Sequence, residues 1–284
     1  GWYVSPKLDG VRGIWTGSKL VSRNGNTIHC PQWWCQLLPK DHRLDGELFI
    51  DNHRFSLVSG IVRRKIPDND WLQVRFHVFD CPDDASMAQP FSQRTVLLSS
   101  IVKAINSQWK DFKLSNLLPT DLVCPLQLVT QTKVKDIEEA HVLYRRYLRK
   151  GCEGVVLREP NSPYIKTRSE WMLKWKPILD AEAKIIGYQE GNNRHLNRLG
   201  KFIAVLLDTQ SQPTNIQFSL SGKLSDQFRS QYNFRYGKLV SEPEPGHDIY
   251  PVIGDIITLQ FAEYSDSGKP RFPIFQRKRS NRPD

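Results

Sequence analysis

The chain has 284 residues, 39% hydrophobic and 11% aromatic, which supplies a core for one large domain or two modest ones and excludes a disordered chain. Lys and Arg number 40 against 30 Asp and Glu, a formal charge of +10. That excess suits a polyanionic partner, although a basic soluble protein would carry it too, and no apolar run approaches the ~20 residues of a membrane span.

The five cysteines, Cys30, Cys35, Cys81, Cys124 and Cys152, are odd in number and irregularly spaced. They do not read as a disulfide framework. His29, Cys30 and Cys35 lie close together, but no second pair follows at zinc-finger spacing, so no zinc site is expected. No secretory leader is visible. Gly1 lies only a few residues before Lys7, which leaves room for a leader or extension ahead of it.

The first informative run is Ser5-Pro6-Lys7-Leu8-Asp9-Gly10-Val11-Arg12-Gly13. A lysine in this setting can serve as a covalent nucleophile toward a nucleotide α-phosphate. The glycine lets backbone approach and the arginine meets phosphate charge. Lysine's reference pKa of about 10.4 must fall, or the surroundings must take the proton, before attack. Neighbouring cations and a bound metal disfavour the ammonium form. A surface lysine in a turn is the bland alternative, and the later motifs weigh against it. Arg12 and Arg23 are candidate phosphate contacts. Arg23 sits in Ser22-Arg23-Asn24-Gly25-Asn26, where an ordinary turn arginine is the alternative.

In Leu44-Asp45-Gly46-Glu47-Leu48, strand alternation puts Asp45 and Glu47 on one face and Leu48 with Ile50 on the other. Two carboxylates on one buried face are costly without a cation, so a site is expected rather than a solvated edge strand. Residues 74–80 form a period-2 strand with Val74, Phe76 and Val78 on one face and Arg75, His77 and Phe79 on the other. Phe79 thus lies among polar neighbours, as a platform for a flat base or as a peripheral core residue.

Residues 92–107 read as a helix with Leu98, Ile101, Val102 and Ile105 at helical spacing. Residues 136–150 read as a second. Asp136 and Glu139 resemble a capping box, Ile137, Ala140, Tyr144 and Leu148 make the stripe, and Gly151 suits the C-cap. A strand at 154–157 follows, so Glu153 sits at a helix-to-strand junction. A carboxylate there opposes the helix dipole, which favours a role for Glu153 as the principal metal-supporting carboxylate. Met172-Leu173-Lys174-Trp175-Lys176-Pro177 puts both lysines on one strand face, suited to an α-phosphate and its developing charge.

After Pro177 the pattern changes. Residues 182–188, 202–207, 215–220 and 255–261 read as short strands, with a weak helix at 225–232. This suits a small antiparallel barrel such as an OB-fold, with a boundary near Ile178-Leu179-Asp180. Arg194, His195, Arg198 and Lys201 form a basic cluster that suits a DNA backbone and equally a solvated loop. The stretch 231–250 is longer than a minimal barrel needs, and 240–251, with Glu-Pro-Glu-Pro-Gly, reads as an exposed loop. Lys269-Pro270-Arg271-Phe272-Pro273-Ile274-Phe275 and the basic residues Arg277, Lys278 and Arg279 close the chain's readable part.

Taken in order, K-x-D-G-x-R, LDGEL, VFDCP, EGVVLR, MLKWKP and RFPIF are a very specific succession. The chain resembles the ATP-dependent DNA ligases, of the covalent nucleotidyltransferase superfamily, and most nearly the minimal bacterial E type. SRNGN, LDGELFI, FDCP, RSEWMLKWKP with DAEAKIIGY, and SGKPRFPIF carry that likeness, from Trp2 to Arg279. The resemblance implies an α+β fold class: a nucleotidyltransferase (adenylation) domain of antiparallel sheets with flanking helices over 1–178, followed by an OB-fold β-barrel over 179–284. It implies ATP, with AMP carried on Lys7, and Mg²⁺ for which Mn²⁺ can substitute. Ser5, Pro6, Leu8, Asp9, Arg12, Glu47 and Phe79 are the implied nucleotide contacts, and Asp9, Glu47 and Glu153 the implied metal residues. Lys174 and Lys176 assist catalysis. Arg271 orients the pyrophosphate leaving group when the barrel closes about a hinge near Asp180. Arg23 engages the 5′-phosphate side of a nick. The implied partner is nicked double-stranded DNA, with no membrane and no obligate protein partner, and a monomer is expected. Relatives of the E type often have export leaders, so the compartment stays open.

Two other enzymes share the lysine chemistry. An mRNA capping guanylyltransferase has K-x-D-G and an LKWKP-like run, but usually Asp-Gly where this chain has Glu153-Gly154, and it lacks RFPIF. An RNA ligase fits the core, and the OB-like half argues for DNA. A non-catalytic OB-type binding protein would not need every catalytic position filled.

Overall fold

Alternating apolar residues build two sheets in the first part of the chain. The larger has six strands in the order Thr27–Ile28, Leu20–Ser22, Val11–Trp15, Leu44–Phe49, Arg75–Asp80 and Leu126–Leu128. The smaller runs Met172–Trp175, Gly154–Arg158, Tyr3–Lys7, Thr132–Lys133. This structure, a computed structural model, describes residues 1–51, 54–265 and 267–279. It separates into two compact units, Gly1–Lys176 and Pro177–Asp284; residues 280–284 of the expected barrel domain lie outside the described residues.

The pairings in the first unit are antiparallel except one. Arg75–Asp80 and Leu126–Leu128 run parallel, a departure from the wholly antiparallel expectation. A parallel pair needs a crossover, and helix Phe91–Ser115 supplies it. That helix outruns the predicted 92–107 because Trp109 and Phe112 extend the apolar stripe beyond Ile105. Trp109 also donates its Nε1 hydrogen to the Leu122 carbonyl at 3.1 Å. Phe76 and Val78 are fully buried, while Arg75, His77 and Phe79 across the strand are half-buried, as the alternation predicts. The core joins them to Trp34, Trp71, Leu48 and Leu98.

Helix Ile137–Arg149 starts where Asp136 accepts the Glu139 amide at 2.9 Å. Glu139 reaches back to the Lys135 amide, one residue before the cap. Gly151, at φ +79°, ends the helix as expected. Ile137, predicted on the buried stripe, is exposed. The packing face is Ala140, Leu143, Tyr144 and Tyr147 against Val4, Val134 and Val155.

Cys30 and Cys35 form a disulfide, which corrects the expectation drawn from cysteine number and spacing. Pro31 leads directly into helix Gln32–Leu37, and this tight turn brings the two Cα atoms to 6.4 Å. Cys81, Cys124 and Cys152 are free thiols, and His29 is exposed. Replacing both bridged cysteines by serine is expected to lower stability by up to about 2 kcal/mol, the value for closing so short a loop. Thermal melting without reductant checks this; a melting curve unchanged by the substitution would show that the bridge is not formed in solution.

The second unit is a five-stranded antiparallel sheet in the order Pro213–Leu220, Leu199–Leu207, Leu179–Glu190, Ile256–Phe261, Ile274–Lys278. A parallel bridge from Gly222 to Ile274 joins its two edges and closes a barrel. A bulge between Ile185 and Gly187 helps the long strand bend. Phe202, Leu220, Tyr232 and Leu259 fill the interior. The expected helix at 225–232 shortens to Asp226–Arg229, capped by Ser225. Arg229 turns inward and donates to the carbonyls of Leu199, Gly200, Ser221 and Leu224. The stretch 231–250 opens with a hairpin, Asn233–Arg235 and Lys238–Ser241, which takes the first two residues of the expected loop 240–251 into a strand; 242–250 hold no helix or strand. Among the described residues no helix is long and apolar enough to cross a membrane.

Candidate active site

Lys7 ends strand Tyr3–Lys7 directly opposite Gly154. Its carbonyl accepts the Glu153 amide at 3.1 Å, so backbone pairing brings the two side chains together across 146 residues of sequence. Lys7 Nζ donates to Glu153 Oε2, and Lys176 Nζ donates to Glu153 Oε1 at 3.0 Å. Gly154 has φ +153°, and a Cβ there would lie 2.2 Å from the Trp175 carbonyl oxygen. Only glycine permits this approach of two strands. On the neighbouring strand Trp175 stacks on Tyr144 at 4.6 Å and meets His141 edge-on at 4.4 Å. That anchors one face of the strand and turns Lys174 to the other.

Lys7 opens on a cavity of about 690 Å³. Its wall contains the predicted nucleotide contacts Ser5, Pro6, Leu8, Arg12, Glu47 and Phe79. Arg23 and Lys174 line it too. Among the described residues Asp9, Glu153 and Lys176 are not in the wall; Glu153 and Lys176 stand behind Lys7. Sequence reasoning missed Arg63, Phe91, Gln131 and Arg158, which are also in the wall. Arg63 follows helix Phe55–Val62 in a basic run, Arg63-Arg64-Lys65, and that run was the only signal available.

Arg12 is held hard. Its Nε and Nη2 donate to the two Asp45 oxygens at 2.9 and 2.6 Å, and Tyr164 donates its hydroxyl to Asp45 at 2.8 Å. The Arg12 guanidinium also lies 5.9 Å from the Phe79 ring centroid. So the cation for Asp45 is an arginine; the paired-carboxylate reading of LDGEL applies to Glu47 alone. Asp45 faces Asp80 across the sheet, and Asp80 has its own cations. Arg94 donates to it at 2.8 and 3.1 Å and Arg158 at 3.2 Å. Asp45, Asp80 and Arg94 are completely buried. Burial pushes the Asp45 carboxyl up against the hydrogen bonds and charge of Arg12.

The charges nearest Lys7 are also tuned. Burial lifts the Glu47 carboxyl to about 8, with the charge of Lys7 working the other way. For Glu153 burial again opposes ionisation, but the hydrogen bonds and charges of Lys7 and Lys176 outweigh it and its pKa lies below the ordinary value. Burial, and then the charges of Lys7, Arg23 and Arg12, lower the Lys174 ammonium. Glu47 carries a stability prediction. Its folded pKa is above the ordinary 4.5, so folding retains a proton that the unfolded chain releases. The stabilisation is complete below pH 4.5 and is lost as pH rises toward about 8. In chelator, Glu47→Gln is expected to flatten the fall in melting temperature across that window. Parallel pH profiles for the two proteins would count against the buried-carboxyl assignment.

The other predicted residues lie in the second unit. Arg271 pairs with Glu263 at 2.8 Å on the opposite strand, beside the exposed Phe272. Arg194 and Arg198 are exposed at the turn around Asn193–His195, and Lys201 is half-buried on strand Leu199–Leu207.

A family model for the ATP dependent DNA ligase domain matches residues 1–176, and one for a DNA ligase OB-like domain matches residues 190–279. A DNA ligase of Haemophilus influenzae is 27% identical over 279 residues, covering 98% of this chain and 87% of that protein. A DNA ligase of African swine fever virus is 26% identical over 226 residues, or 78% of this chain, and the match spans only 47% of the viral protein. A solved chain from a structure–function analysis of Lig E DNA ligases and their DNA binding with a minimal scaffold aligns at TM-score 0.75 and 26% identity, covering 98% of this chain and 92% of that one. Both halves of the sequence therefore match the same kind of enzyme in the same order, and the chain belongs to the ATP-dependent DNA ligases, enzymes that join DNA strands.

Proposed function

We propose that Lys7 is the nucleophile that carries AMP, and that the enzyme seals 5′-phosphate/3′-hydroxyl nicks in duplex DNA. The observation that carries this reading is a lysine held by Glu153 at the mouth of a cavity walled by Arg12, Arg23, Lys174 and Phe79. In the first step Lys7 Nζ gives up a proton and bonds to the ATP α-phosphorus, and pyrophosphate leaves. In the second, a DNA 5′-phosphate oxygen displaces Nζ from that phosphorus, and Lys7 regains a proton. In the third, the 3′-hydroxyl oxygen bonds to the DNA phosphorus, loses its proton, and AMP leaves.

This chain's residues have distinct tasks in those steps. Glu153 holds Nζ in line, and Lys176 balances the second oxygen of the same carboxylate. Lys174 meets the charge that develops on the α-phosphate oxygens. Phe79 supports the base, and Arg12, locked by Asp45, is a fixed positive edge for phosphate. Arg23 receives the 5′-phosphate side of the nick. Ser5, Pro6 and Leu8 shape the wall.

The donor set suits a hard divalent cation, since Glu47, Glu153 and Asp9 offer only oxygen. Glu47 is a half-buried carboxyl in the cavity wall whose charge lacks full compensation from the protein. A Mg²⁺ or Mn²⁺ ion held there would neutralise polyphosphate charge. The adenylation domain is taken as 1–178 and the OB domain as 179–284, with a hinge near Asp180 and Arg271 directed to the pyrophosphate during the first step. Arg194, Arg198 and Lys201 follow the DNA backbone. The enzyme works as a monomer without an obligate protein partner. Crosslinking the two domains should stop turnover, and unimpaired sealing by the crosslinked protein would exclude the hinge. The test of the reaction itself is incubation with α-labelled ATP, Mg²⁺ and a nicked duplex. Label should pass to the protein and then to DNA before the duplex is sealed; protein that takes no label would refute the reading.

A further inference from the structure

The barrel unit carries an exposed edge that its own packing does not use. The hairpin Asn233–Arg235/Lys238–Ser241 ends at the pair Arg235 and Lys238, which leaves Tyr236-Gly237 as a two-residue loop. Both loop residues have positive φ, +54° and +76°. This is the turn geometry that favours Asn-Gly, because a larger side chain is strained in the left-handed region. Tyr236 is nevertheless there, and it is 94% exposed. The fold takes strain from this residue and receives no packing in return, which is the pattern of a residue kept for binding.

The hairpin is firmly seated. Phe234 and Leu239 pack into the barrel core. The Phe234 amide donates to the Asn197 carbonyl at 3.0 Å, and Asn233 bridges to Arg198. The Asn197 amide donates to Glu190 at 2.8 Å, which fixes the adjoining turn. That turn presents Leu196, 59% exposed, between Arg194 and Arg198. The edge therefore combines two exposed apolar side chains with Arg194, Arg198, Arg235 and Lys238, and among the described residues none of these cations is in an ion pair.

We propose that this hairpin is a duplex grip: Tyr236 seats in a groove of duplex DNA, and the four cations lie on the flanking phosphates. The inference rests on the DNA-joining reading and adds a groove contact to it. A two-stranded ribbon is narrow enough to enter a groove about 12 Å wide. In a nicked duplex the bases stay stacked, so the ring meets groove walls and sugars and reads no sequence.

The test uses the full chain with Tyr236→Asn and Tyr236→Phe. Asparagine suits the left-handed turn, so Tyr236→Asn should melt at the same or a higher temperature. It should also form protein-bound AMP at the wild-type rate without DNA. Its dissociation constant for a nicked duplex should rise about tenfold, with an unchanged salt dependence, and Tyr236→Phe should bind like wild type. Arg235→Ala with Lys238→Ala should instead reduce the salt slope by about 0.9 per lost phosphate contact. Wild-type affinity and sealing by Tyr236→Asn would overturn the proposal, as would a loss of affinity matched by a loss of adenylation. Failure of the wild-type protein to seal any nick would instead overturn the ligase reaction.

Discussion

Lys7→Ala is expected to carry no detectable AMP and to lose at least about 10⁴-fold in nick sealing from ATP. No second amine stands in the same position, because Lys176 is on the far oxygen of Glu153 and Lys174 belongs to another strand. The loss should be specific to the steps that use the lysine. A duplex supplied with AMP already on its 5′-phosphate bypasses them, so the variant should still join that substrate, more slowly than wild type. The fold should persist, since Glu153 keeps Lys176 as a partner and Lys7 lies at the end of its strand. Gel analysis with α-labelled ATP reads the first outcome, and joining of the adenylated duplex reads the second. Label retained on the alanine variant would mean that another residue is the nucleophile.

Asp80→Ala is expected to be among the most destabilising substitutions outside the apolar core, by about 3–5 kcal/mol. For a domain of this size that lowers the melting temperature by roughly 6–20 °C. Asp80 has no exposed side-chain surface, and Arg94 beside it has none either. Removing the carboxylate leaves the buried Arg94 beside the partly buried Arg158 with no counter-charge, and it also removes the acceptor of the Cys81 amide at 2.9 Å. The cavity should suffer with the fold, because Arg158 is in its wall. Arg64→Ala is the contrasting change. Arg64 pairs with Asp68 and Asp70 at the open surface, where solvent screens the charges, and no measurable change in melting is expected. An Asp80→Ala protein that melts within two or three degrees of wild type would show that the buried network is not stabilising.

The chemistry of this chain was legible in the sequence because it is written in short, regular segments. Period-2 alternation placed Phe79 apart from Phe76 and Val78, and it put Lys174 on the face opposite Trp175; the structure has both. The junction between helix and strand located Glu153, and Gly151 marked the helix end. Five of the seven implied nucleotide contacts lie in the single run from Ser5 to Arg12, and all of these but Asp9 are in the wall.

What the sequence could not supply was the partner of each charged group. Arg12 finds Asp45 and Tyr164, and Asp80 finds Arg94 and Arg158, across separations of 14 to 152 residues. LDGEL suggested two carboxylates sharing one site because strand alternation specifies which face a carboxylate is on, not which cation lies opposite. Sheet register decides that, and register is a property of the whole core. The disulfide was missed for a related reason: the count and spacing of cysteines say nothing about how closely Pro31 turns the chain. Tyr236 is the opposite case, an aromatic that composition assigns to a core and the turn holds in solvent. Thus the sequence by itself supplied the family motifs, the types of the elements it named and the two-part order, since these depend on residues a few positions apart. Only the tertiary structure decided which charges meet, where the arginines are locked and which side chain is left exposed, because those depend on long-range pairing and on the burial that gives each pair its strength.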